Sequence, residues 1–596
     1  PKEGNKNLII HITNTTGNHR AKEGFVHILP KNNEIEGSVR TFGSFASRFG
    51  GVQVYFVAKF DHSFSNYGIW DGQSLDKRGL SKKSDSLKIY LGFTQESINA
   101  KVGISHISIE NARLNLETEV GHGNFTEILH MARDKWESKL ALIKIEGGSF
   151  EEKKVFYSAL YRSFQMPTIF NDVNGEYMGF DKKTHQATDF NYYTDLSLWD
   201  TFRTVHPLFN LIAKEEQRDM LVSLVEMSKH GGSLPRWPSG YGYSNSMLGS
   251  PVDMVITESY LKGIRNFDVN LAYTKMRRVA LESIPKDSSA AGREEIDGYL
   301  TYGYCPTEFG DEAVSKTLEY AWADHSISLL AKELHRPEDQ ALFEGHSKFY
   351  KNVWNPDTQY FQPRHKDGRF VEKFKPLQLT YTDWDDEYTK DYTEGSALQW
   401  RWAVPYDTDG LVSLFKDKDY FVTELNNFFA KADPKMAAWT PGSYYWHGNE
   451  PDIHAAYLFN AVERPDLTQK WVRWILDNKY DNSYVGIDGN DDAGTLSAWY
   501  IFSSLGFYPI AGTDIYQLGA PLFKNAVLQM GEHQLNIGTE NYDPNNIYVK
   551  KILLNSKPLD RTWIKHEEIA NGGQLTFIMA KEPHLLINQQ SSKSTL

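Results

Sequence analysis

The sequence predicts a multidomain chain of α and β structure, with a β-rich first part, a long helical middle and a small β-rich end. Two observations predict this order. Short segments rich in β-branched and aromatic residues, separated by Gly and Asn, occupy residues 1–110 and return after Pro509. Between these parts, apolar residues recur at three- and four-residue spacing, which is typical of amphipathic helices. A length of 596 residues is sufficient for several such domains.

Residues 1–110 are expected to form a β-sandwich. Turn-rich sequence separates the predicted strands, as in a sandwich of two antiparallel sheets. These strands are residues 7–12, 52–60, 87–93 and 98–107. The spacing then becomes helical, so residues 111–148 are expected to form a linker with a helix over 125–145.

Residues 149–510 are expected to be mainly helical. Clear helical patterns cover residues 150–164, 215–229, 315–334 and 469–478. Long loops rich in Gly and aromatic residues separate the helices, which favours an (α/α) toroid of paired helices. A helical solenoid is the alternative, although the sequence has no repeat of fixed period. Strand patterns at 514–520, 525–530, 548–555 and 575–579 predict a small β-unit over 511–596, packed on the helical barrel.

Composition excludes several classes of partner. The formal net charge of -13 argues against nucleic acid or an anionic membrane surface. No apolar run reaches the roughly 18 residues of a membrane span. The single cysteine, Cys305, excludes an intrachain disulfide and a multi-cysteine metal site. Aromatic residues make up 14% of the chain, which suits either sugar binding or large rigid cores.

Two loops place acidic residues beside aromatic ones. Residues 197–207 offer Trp199, Asp200, Arg203 and His206. Asp200 either caps the following helix or contacts a ligand, and the two roles are compatible. Residues 392–407 place Glu394 before Gly395 and in front of Trp400 and Trp402. Burial among aromatics would raise the pKa of this carboxyl, as a general acid requires, whereas a solvated Glu at a helix start is the interpretation that spacing alone favours.

The loop 446–454 offers His447, Asn449, Glu450 and His454. The side-chain oxygens of Asn449 and Glu450 are ligands that a hard cation such as calcium prefers. A zinc site would need a third nitrogen or sulfur ligand, which the loop lacks, and His454 is interpreted as structural.

The loop 486–502 crowds Asp488, Asn490, Asp491 and Asp492 between glycines. The EF-hand pattern fails here because no Glu closes the loop at the twelfth position. Asp491 and Asp492 can cap the helix that follows, but so many like charges repel unless a cation or sugar hydroxyls hold them. One of these carboxylates is then a candidate general base.

The chain resembles the calcium-dependent exo-α-mannosidases of glycoside hydrolase family 92. The resemblance rests on stretches that occur in the family's order and span most of residues 35–515. These are SLWDTFRTVHPL, SLPRWPSGYGY, GSPVDMVITESYLKGI, AVSKTLEYAWAD, YTEGSALQWRW, GNEP and GNDDAGTLSAWYIFSSLGFYP. It implies an N-terminal β-sandwich and an (α/α)6 catalytic barrel, and it implies an inverting mechanism that removes terminal α-mannose from N-glycans or mannans.

The resemblance also implies roles for particular residues. Glu394 would be the general acid, and Asp492 would be the general base, with Asn490 standing where relatives carry a second candidate carboxylate. Calcium would be the cofactor, bound near Asn449, Glu450 and Asp492. The residues implied to contact sugar are Trp199, Asp200, Arg203, Trp237, His447 and Asn490.

Two departures from the family pattern bear on specificity and completeness. Relatives specific for α-1,2 linkages carry His-Glu before Asn-Glu-Pro, whereas this chain has His447-Gly448, so α-1,2 restriction is not expected. Family members also have further N-terminal sequence, so the sandwich is expected to be incomplete at its N-terminus. The chain starts PKEGNK, without Met or a signal peptide, and is interpreted as processed or truncated.

Other interpretations stay open. The chain could be an (α/α)6 hydrolase for another α-glycoside, or a catalytically silent mannan-binding homologue. The expected partner is a mannose-containing glycan, with a separate N-terminal fragment or a second copy of the chain as further candidates. The expected location is extracellular, cell-surface or periplasmic, and a cytoplasmic location is the alternative.

Overall fold

The computed structural model describes residues 6–16, 20–284, 292–437 and 442–585. The chain divides into two compact units. The first unit comprises Pro1–Glu137, Pro167–Leu196 and Val222–Ser246, and the second comprises Ser138–Met166, Ser197–Leu221 and Met247–Leu596. The domain boundaries expected from the sequence stay a prediction.

The first unit contains two sheets with antiparallel neighbours. The four-stranded sheet has, in spatial order, the strands Lys6–His11, Leu87–Phe93, Asn66–Asp71 and Ser74–Lys77. The five-stranded sheet has Ser81–Ser84, Arg20–Leu29, Glu34–Phe42, Val52–Phe60 and Ala100–Ser105. The unit also has three short two-stranded sheets, formed by Thr168–Ile169 with Tyr193–Thr194, Glu176–Met178 with Thr184–Gln186, and Pro238–Ser239 with Gly242–Tyr243.

One apolar core lies between the two sheets. Val26 and Ile28 of the five-stranded sheet and Leu87, Ile89 and Leu91 of the four-stranded sheet are all fully buried in a single cluster. Alternate residues of each strand point to one face, so these side chains meet between the sheets. The predicted β-sandwich is therefore confirmed.

Helix Ile109–Glu119 follows the last strand of the sandwich. Its N-cap is Ser108, whose side chain accepts a hydrogen bond from the Asn111 N–H. Its residues Ala112 and Leu116 bury their side chains against Val57. This helix therefore packs on the five-stranded sheet.

The second unit is mainly helical, as the sequence predicts. Its α-helices are Phe150–Ser163, Leu198–Thr201, Val205–Ile212, Pro251–Leu261, Val269–Leu281, Ile296–Tyr302, Ala313–Glu333, Pro337–His346, Ala397–Trp400, Thr408–Val412, Lys418–Ala430, Pro465–Asn478 and Thr495–Leu505. Two further helices, Phe125–Leu140 and Lys214–Gly231, have residues in both units. The closure of these helices into an (α/α)6 barrel stays a prediction.

The strands expected near the C-terminus are present. Six strands form one sheet in the spatial order Ile143–Glu146, Asn525–Met530, His533–Glu540, Gly573–Ala580, Tyr548–Leu554 and Lys557–Pro558. Phe507–Pro509, Ile515–Leu518 and Trp563–Lys565 form a second sheet of three strands. Another short hairpin of this unit pairs Trp354–Asn355 with Tyr360–Phe361.

The helix predicted over 125–145 is too long. The observed helix ends at Leu140, and Ile143–Glu146 is an edge strand paired with residues 525–528. Ile143 and Ile145 are both β-branched, and Ile143 is buried, so both residues favour a strand once the strand at 525–528 is available for pairing. None of the helices among the described residues has an apolar stretch long enough for a membrane span.

Candidate active site

Glu394 lies in a loop that its neighbours hold on both sides. Ser396 caps the short helix after it through a reciprocal capping box with Gln399. The Trp400 Nε1–H donates to the Thr393 carbonyl at 2.7 Å, and the Asn449 amide donates to the carbonyl of Glu394 itself. Glu394 has a left-handed backbone with φ 45°, a conformation that a non-glycine residue keeps only where surrounding contacts enforce it.

The side chain of Glu394 is partly buried and precedes the helix cap, so it is not a solvated helix-start residue. Burial raises the pKa of its carboxyl to about 7, and the nearby charges of Asp492 and Glu312 act in the same direction. A carboxylic acid that stays protonated near neutral pH can donate a proton in a reaction.

Asp492 lies in a strained turn directly before helix Thr495–Leu505. Asp492, Ala493 and Gly494 have consecutive positive φ angles of 44°, 56° and 92°. Its neighbour Asp491 is already engaged, because its carboxylate accepts hydrogen bonds from the N–H and Oγ of Ser497, each at 2.8 Å. Asp491 also lies 3.3 Å from Arg162 Nε.

The other acidic residue of this loop, Asp488, is buried and paired. It accepts from the Ala437 N–H at 2.5 Å, and its second oxygen lies 3.2 Å from Lys479 Nζ. Asn490 is exposed. Of the acids crowded into this loop, only Asp492 therefore joins the cluster described next.

Three carboxylates from three separate segments of the chain converge. One oxygen each of Asp200, Glu450 and Asp492 lies within 4.8 Å of the others. Asp200 and Glu450 are buried, and burial together with the charge of Asp492 raises the pKa of both carboxyls far above their usual range. Burial and the charge of Asp491 raise the pKa of Asp492 to about 6.

This cluster has the chemistry of a site for a hard cation. Among the described residues, Glu450 Oε1 is buried without a hydrogen-bond partner. The guanidinium of Arg203, whose charge acts on Asp200 and Glu450, is bound to Glu319 at 2.8 Å. Carboxylate oxygens are the ligands that Ca²⁺ prefers, and a cation would keep all three groups ionised where burial alone opposes it.

Arg203 and Trp199 form a buried cation–π pair close to Asp200 in the chain. The Arg203 guanidinium lies 5.0 Å from the Trp199 ring centre, and its Nε donates to the Trp199 carbonyl at 3.2 Å. His206 is buried and its Nδ1 lies 2.9 Å from Gln217 Oε1. Asp200 does not cap the next helix, whose N-cap is Thr204. Its carboxylate instead accepts from the Ser197 hydroxyl and faces the cluster.

Comparison with known proteins identifies the family. Residues 111–581 match the glycosyl hydrolase family 92 catalytic domain, and residues 1–105 match the glycosyl hydrolase family 92 N-terminal domain. The chain belongs to glycosyl hydrolase family 92. This confirms the resemblance that the loop motifs indicate, and it makes the protein a member of a family of glycoside hydrolases.

Solved structures of the family support the same assignment. A family 92 α-mannosidase of Bacteroides thetaiotaomicron, in complex with mannoimidazole, is 28% identical with a TM-score of 0.90, covering 98% of this chain and 77% of that one. A family 92 inverting mannosidase of strain VPI-5482 of the same species is 26% identical with a TM-score of 0.88, covering 98% and 79%.

A curated relative comes from a fungus. It is an uncharacterized secreted glycosidase of Arthroderma benhamiae, 26% identical over an alignment of 530 residues that covers 83% of this chain. The chain spans 62% of the length of that relative.

In this family 92 chain, the remaining predicted site residues have diverse environments. His447 is fully buried, and both ring nitrogens lie 2.6 Å from tyrosine hydroxyls, Nδ1 from Tyr445 and Nε2 from Tyr480. Tyr480 donates its proton to the Leu496 carbonyl, so Nε2 of His447 is the protonated nitrogen. Both nitrogens are therefore used within the protein.

Asn449 connects two parts of the site. Its amide donates to the Glu394 carbonyl, and its side-chain oxygen accepts from the Glu450 N–H at 3.1 Å. His454 is structural as expected, since it is buried with Nε2 2.7 Å from the Trp402 carbonyl. Trp237 belongs to the first unit, where its ring centre lies 4.3 Å from that of Phe45.

Sequence reasoning missed two features of the site. It assigned Asp200 to sugar contact and not to the carboxylate cluster, because nothing in the spacing relates Asp200 to residues 450 and 492. It also missed Tyr381, whose pKa is raised by burial and by the charges of Glu394, Glu450 and Asp492. Its own stretch, QLTYTDWDDEY, carries no pattern that would single it out.

Two glycines allow the loops of Glu450 and Asp492 to approach. A Cβ atom on Gly489 would lie 2.6 Å from the Gly448 Cα, and one on Gly448 would lie 2.8 Å from the Gly489 Cα. Gly489 also has a left-handed φ of 67°. Any side chain at either position would push the two loops apart.

We therefore expect Gly489→Ala to destabilise the protein by about 2 kcal/mol or more, since it adds a backbone clash to an unfavourable φ. Gly531→Ala is the matched control, because Gly531 has φ 65° but open space around its Cβ position, so only a conformational cost of about 1 kcal/mol applies. Thermal melting of both variants measures the difference. Equal decreases in melting temperature would contradict the steric argument.

Proposed function

We propose that this chain is an exo-acting α-mannosidase that removes terminal α-mannose from N-glycans or mannans with inversion of configuration. The observation that carries the proposal is the partly buried acid Glu394 beside the carboxylate cluster of Asp200, Glu450 and Asp492. The family membership and the two solved mannosidases, which cover almost all of this chain, support the choice of sugar.

Glu394 is the proposed general acid. Glycosidic oxygen is a poor leaving group unless it is protonated as the bond breaks, so the reaction needs a carboxylic acid that keeps its proton. Burial raises the pKa of Glu394 to about 7 and supplies that state. The Asn449 amide and the Trp400 indole hold the loop, which fixes where the proton is delivered.

Asp492 is the proposed general base. An inverting hydrolase uses a carboxylate to take a proton from the attacking water on the face opposite the leaving group. Its neighbours Asp488 and Asp491 are less suited to this task, since each already accepts protein hydrogen bonds and faces Lys479 or Arg162.

Asp200, Glu450 and Asp492 are the proposed holders of a calcium ion. When bound there, a divalent cation supplies positive charge and a template for neighbouring sugar hydroxyls. The Glu450 N–H donates to the Asn449 side-chain oxygen at 3.1 Å, so we propose that Asn449 orients Glu450 toward the ion.

The linkage is proposed not to be restricted to α-1,2. Relatives specific for that linkage have Glu where this chain has Gly448, and the contact with Gly489 leaves no room for a side chain. The other subsite residues proposed from the family pattern are Trp199, Arg203, Trp237, His447 and Asn490.

A digestion panel tests the activity. Mannobioses with α-1,2, α-1,3, α-1,4 and α-1,6 linkages are incubated with the protein and calcium, and released mannose is followed by proton NMR. We expect release from at least one linkage other than α-1,2, with β-mannose as the first-formed anomer. No release from any substrate would overturn the proposed activity, and α-mannose as first product would overturn inversion.

Removal of the metal gives a separate prediction. Treatment with EDTA should lower mannoside hydrolysis by about 100-fold, and added calcium should restore it, since the carboxylate cluster then lacks its counter-charge. Calcium should also raise the melting temperature of the metal-free protein, and Glu450→Gln should reduce that rise. Activity that is indifferent to EDTA, with no shift in melting temperature, would contradict the metal site.

The proposed location is extracellular, cell-surface or periplasmic. The curated fungal relative is described as a secreted glycosidase, which supports export. Fractionation of the source cells, with hydrolysis of an aryl α-mannoside as the assay, tests this location.

A further inference from the structure

Trp384 differs from every other described tryptophan in its exposure. Of the 15 tryptophans, all but Trp439 lie in the described part of the chain, and among these only Trp384 is exposed, at 90%. Its neighbours Asp385, Asp386 and Glu387 are exposed as well. Leaving so large an aromatic surface in water gives up the stabilisation that burial provides, and a ligand that covers the indole would recover it.

The turn that carries Trp384 is well anchored. The Asp386 N–H donates to the Asp383 carbonyl at 3.1 Å, and this closes a turn with Trp384 inside it. The buried Asp383 carboxylate accepts from the N–H of Tyr388 at 2.9 Å and from the N–H and Oγ of Thr389 at 2.9 and 2.7 Å. The indole is therefore presented to solvent by a turn with a defined hydrogen-bond network.

The same segment is tied to the loop of the proposed acid. The N–H and Oγ of Thr380 both donate to the Gly395 carbonyl, at 3.2 and 2.9 Å, and the Gly395 N–H donates back to that Oγ at 3.2 Å. Trp384 lies four positions after Thr380 in the chain. Their Cα atoms are therefore at most about 14 Å apart, so Trp384 stays near the residue that follows Glu394.

We propose that Trp384 is a stacking platform for the part of the glycan that leaves, meaning the second or third sugar from the terminal mannose. This inference rests on the proposed function. Glu394 protonates the departing oxygen, so the remainder of the glycan lies on the side of the Glu394 loop, where Trp384 is anchored. The indole face suits the C–H face of a pyranose, and the exposed carboxylates of Asp385 and Asp386 can accept hydrogen bonds from its hydroxyls.

The test compares a long substrate with one that has no second sugar. For Trp384→Ala, the ratio of kcat/KM on an α-mannotriose to kcat/KM on 4-nitrophenyl α-mannoside is expected to fall about 10-fold, which corresponds to the loss of one aromatic contact. Trp384→Phe should recover part of the ratio, since it keeps a ring. An unchanged ratio in Trp384→Ala would overturn the proposal.

Tyr484→Ala is the matched control. Tyr484 is also fully exposed, at 105%, but it belongs to the loop before Asp492, the proposed base. Because the base acts on the face opposite the leaving group, its removal should leave the ratio of the two kcat/KM values unchanged. If Tyr484→Ala lowers the ratio as much as Trp384→Ala, the assignment of the glycan to the acid side is wrong.

Binding and molecular mass test the platform without relying on hydrolysis. If the wild-type protein hydrolyses neither substrate, the proposed function fails. Calorimetric binding of mannotriose by the wild type and by Trp384→Ala still tests the platform in that case. Equal affinities would overturn the platform, and weaker binding by the variant would support it. Light scattering of both proteins tests a protein contact. A smaller mass for Trp384→Ala would assign the exposed indole to an interface between copies of the chain and overturn the sugar platform.

Discussion

Replacing Glu394 by Gln is expected to lower kcat/KM on an α-linked mannobiose by about 100- to 10,000-fold, the usual contribution of a general acid. The amide has nearly the shape of the protonated carboxyl but has no proton of comparable acidity to give. The departing sugar oxygen would then leave unprotonated, as a strongly basic alkoxide. Steady-state kinetics on the linkage that the digestion panel selects measure the loss.

The leaving group supplies the control for this prediction. A 2,4-dinitrophenyl mannoside departs as a weakly basic phenolate and needs little protonation, so its hydrolysis should suffer much less in Glu394→Gln. Equal losses on both substrates would show that Glu394 is not the acid.

The pH profile gives an independent check on the same residue. The acid must carry its proton, and its pKa is raised to about 7, so wild-type kcat/KM on the mannobiose should fall as the pH rises through about 7. This decline should be absent from Glu394→Gln, which has no proton to lose at that position. A decline that persists unchanged in the variant would assign it to another group.

Replacing Asp492 by Asn is expected to lower kcat/KM by about 100- to 10,000-fold on both the mannobiose and the dinitrophenyl mannoside. Both reactions need an activated water, and an amide cannot take its proton. The dependence on leaving group therefore distinguishes the two carboxylates, because the acid variant is sensitive to it and the base variant is not. Assays at saturating calcium keep a weakened metal site from accounting for the loss.

Asp491→Asn is the matched control, one residue away in the same turn. The Asp491 carboxylate accepts hydrogen bonds from the N–H and Oγ of Ser497 and faces Arg162. Its replacement should therefore lower the melting temperature, and it should lower kcat/KM much less than Asp492→Asn does. If Asp491→Asn loses more activity than Asp492→Asn, the roles of the two residues are interchanged.

Regular elements were predictable wherever the side-chain pattern was strong. The strands at 52–60, 87–93 and 525–530 have the observed bounds. Burial alternates along the strand at 525–530, so every second side chain enters one core. The helix predicted at 315–334 is observed as Ala313–Glu333. Residues 143–145 were assigned to the wrong element, since their strand exists only by pairing with residues 525–528, far away in the chain.

The site was predictable in its residues but not in its groupings. The loop motifs identify Glu394, Glu450 and Asp492 as candidates, and the match of residues 111–581 to the family's catalytic domain confirms the family membership that they indicate. Spacing within the loop does not distinguish Asp491 from Asp492, and only the family resemblance implies the base role for Asp492. That distinction depends on Arg162 and Ser497, which engage Asp491 and leave its neighbour to the cluster.

By itself the sequence determined the family, the order of β and α regions, and the loops that hold the chemistry. Local residue patterns and sequence motifs are sufficient to predict those properties. Only the tertiary structure decided that Asp200 joins Glu450 and Asp492, that His447 is enclosed by two tyrosines, and that Glu394 is buried enough for a raised pKa. The physical reason is that desolvation and charge coupling depend on distance in space, and residues 200, 450 and 492 become neighbours only when the chain folds.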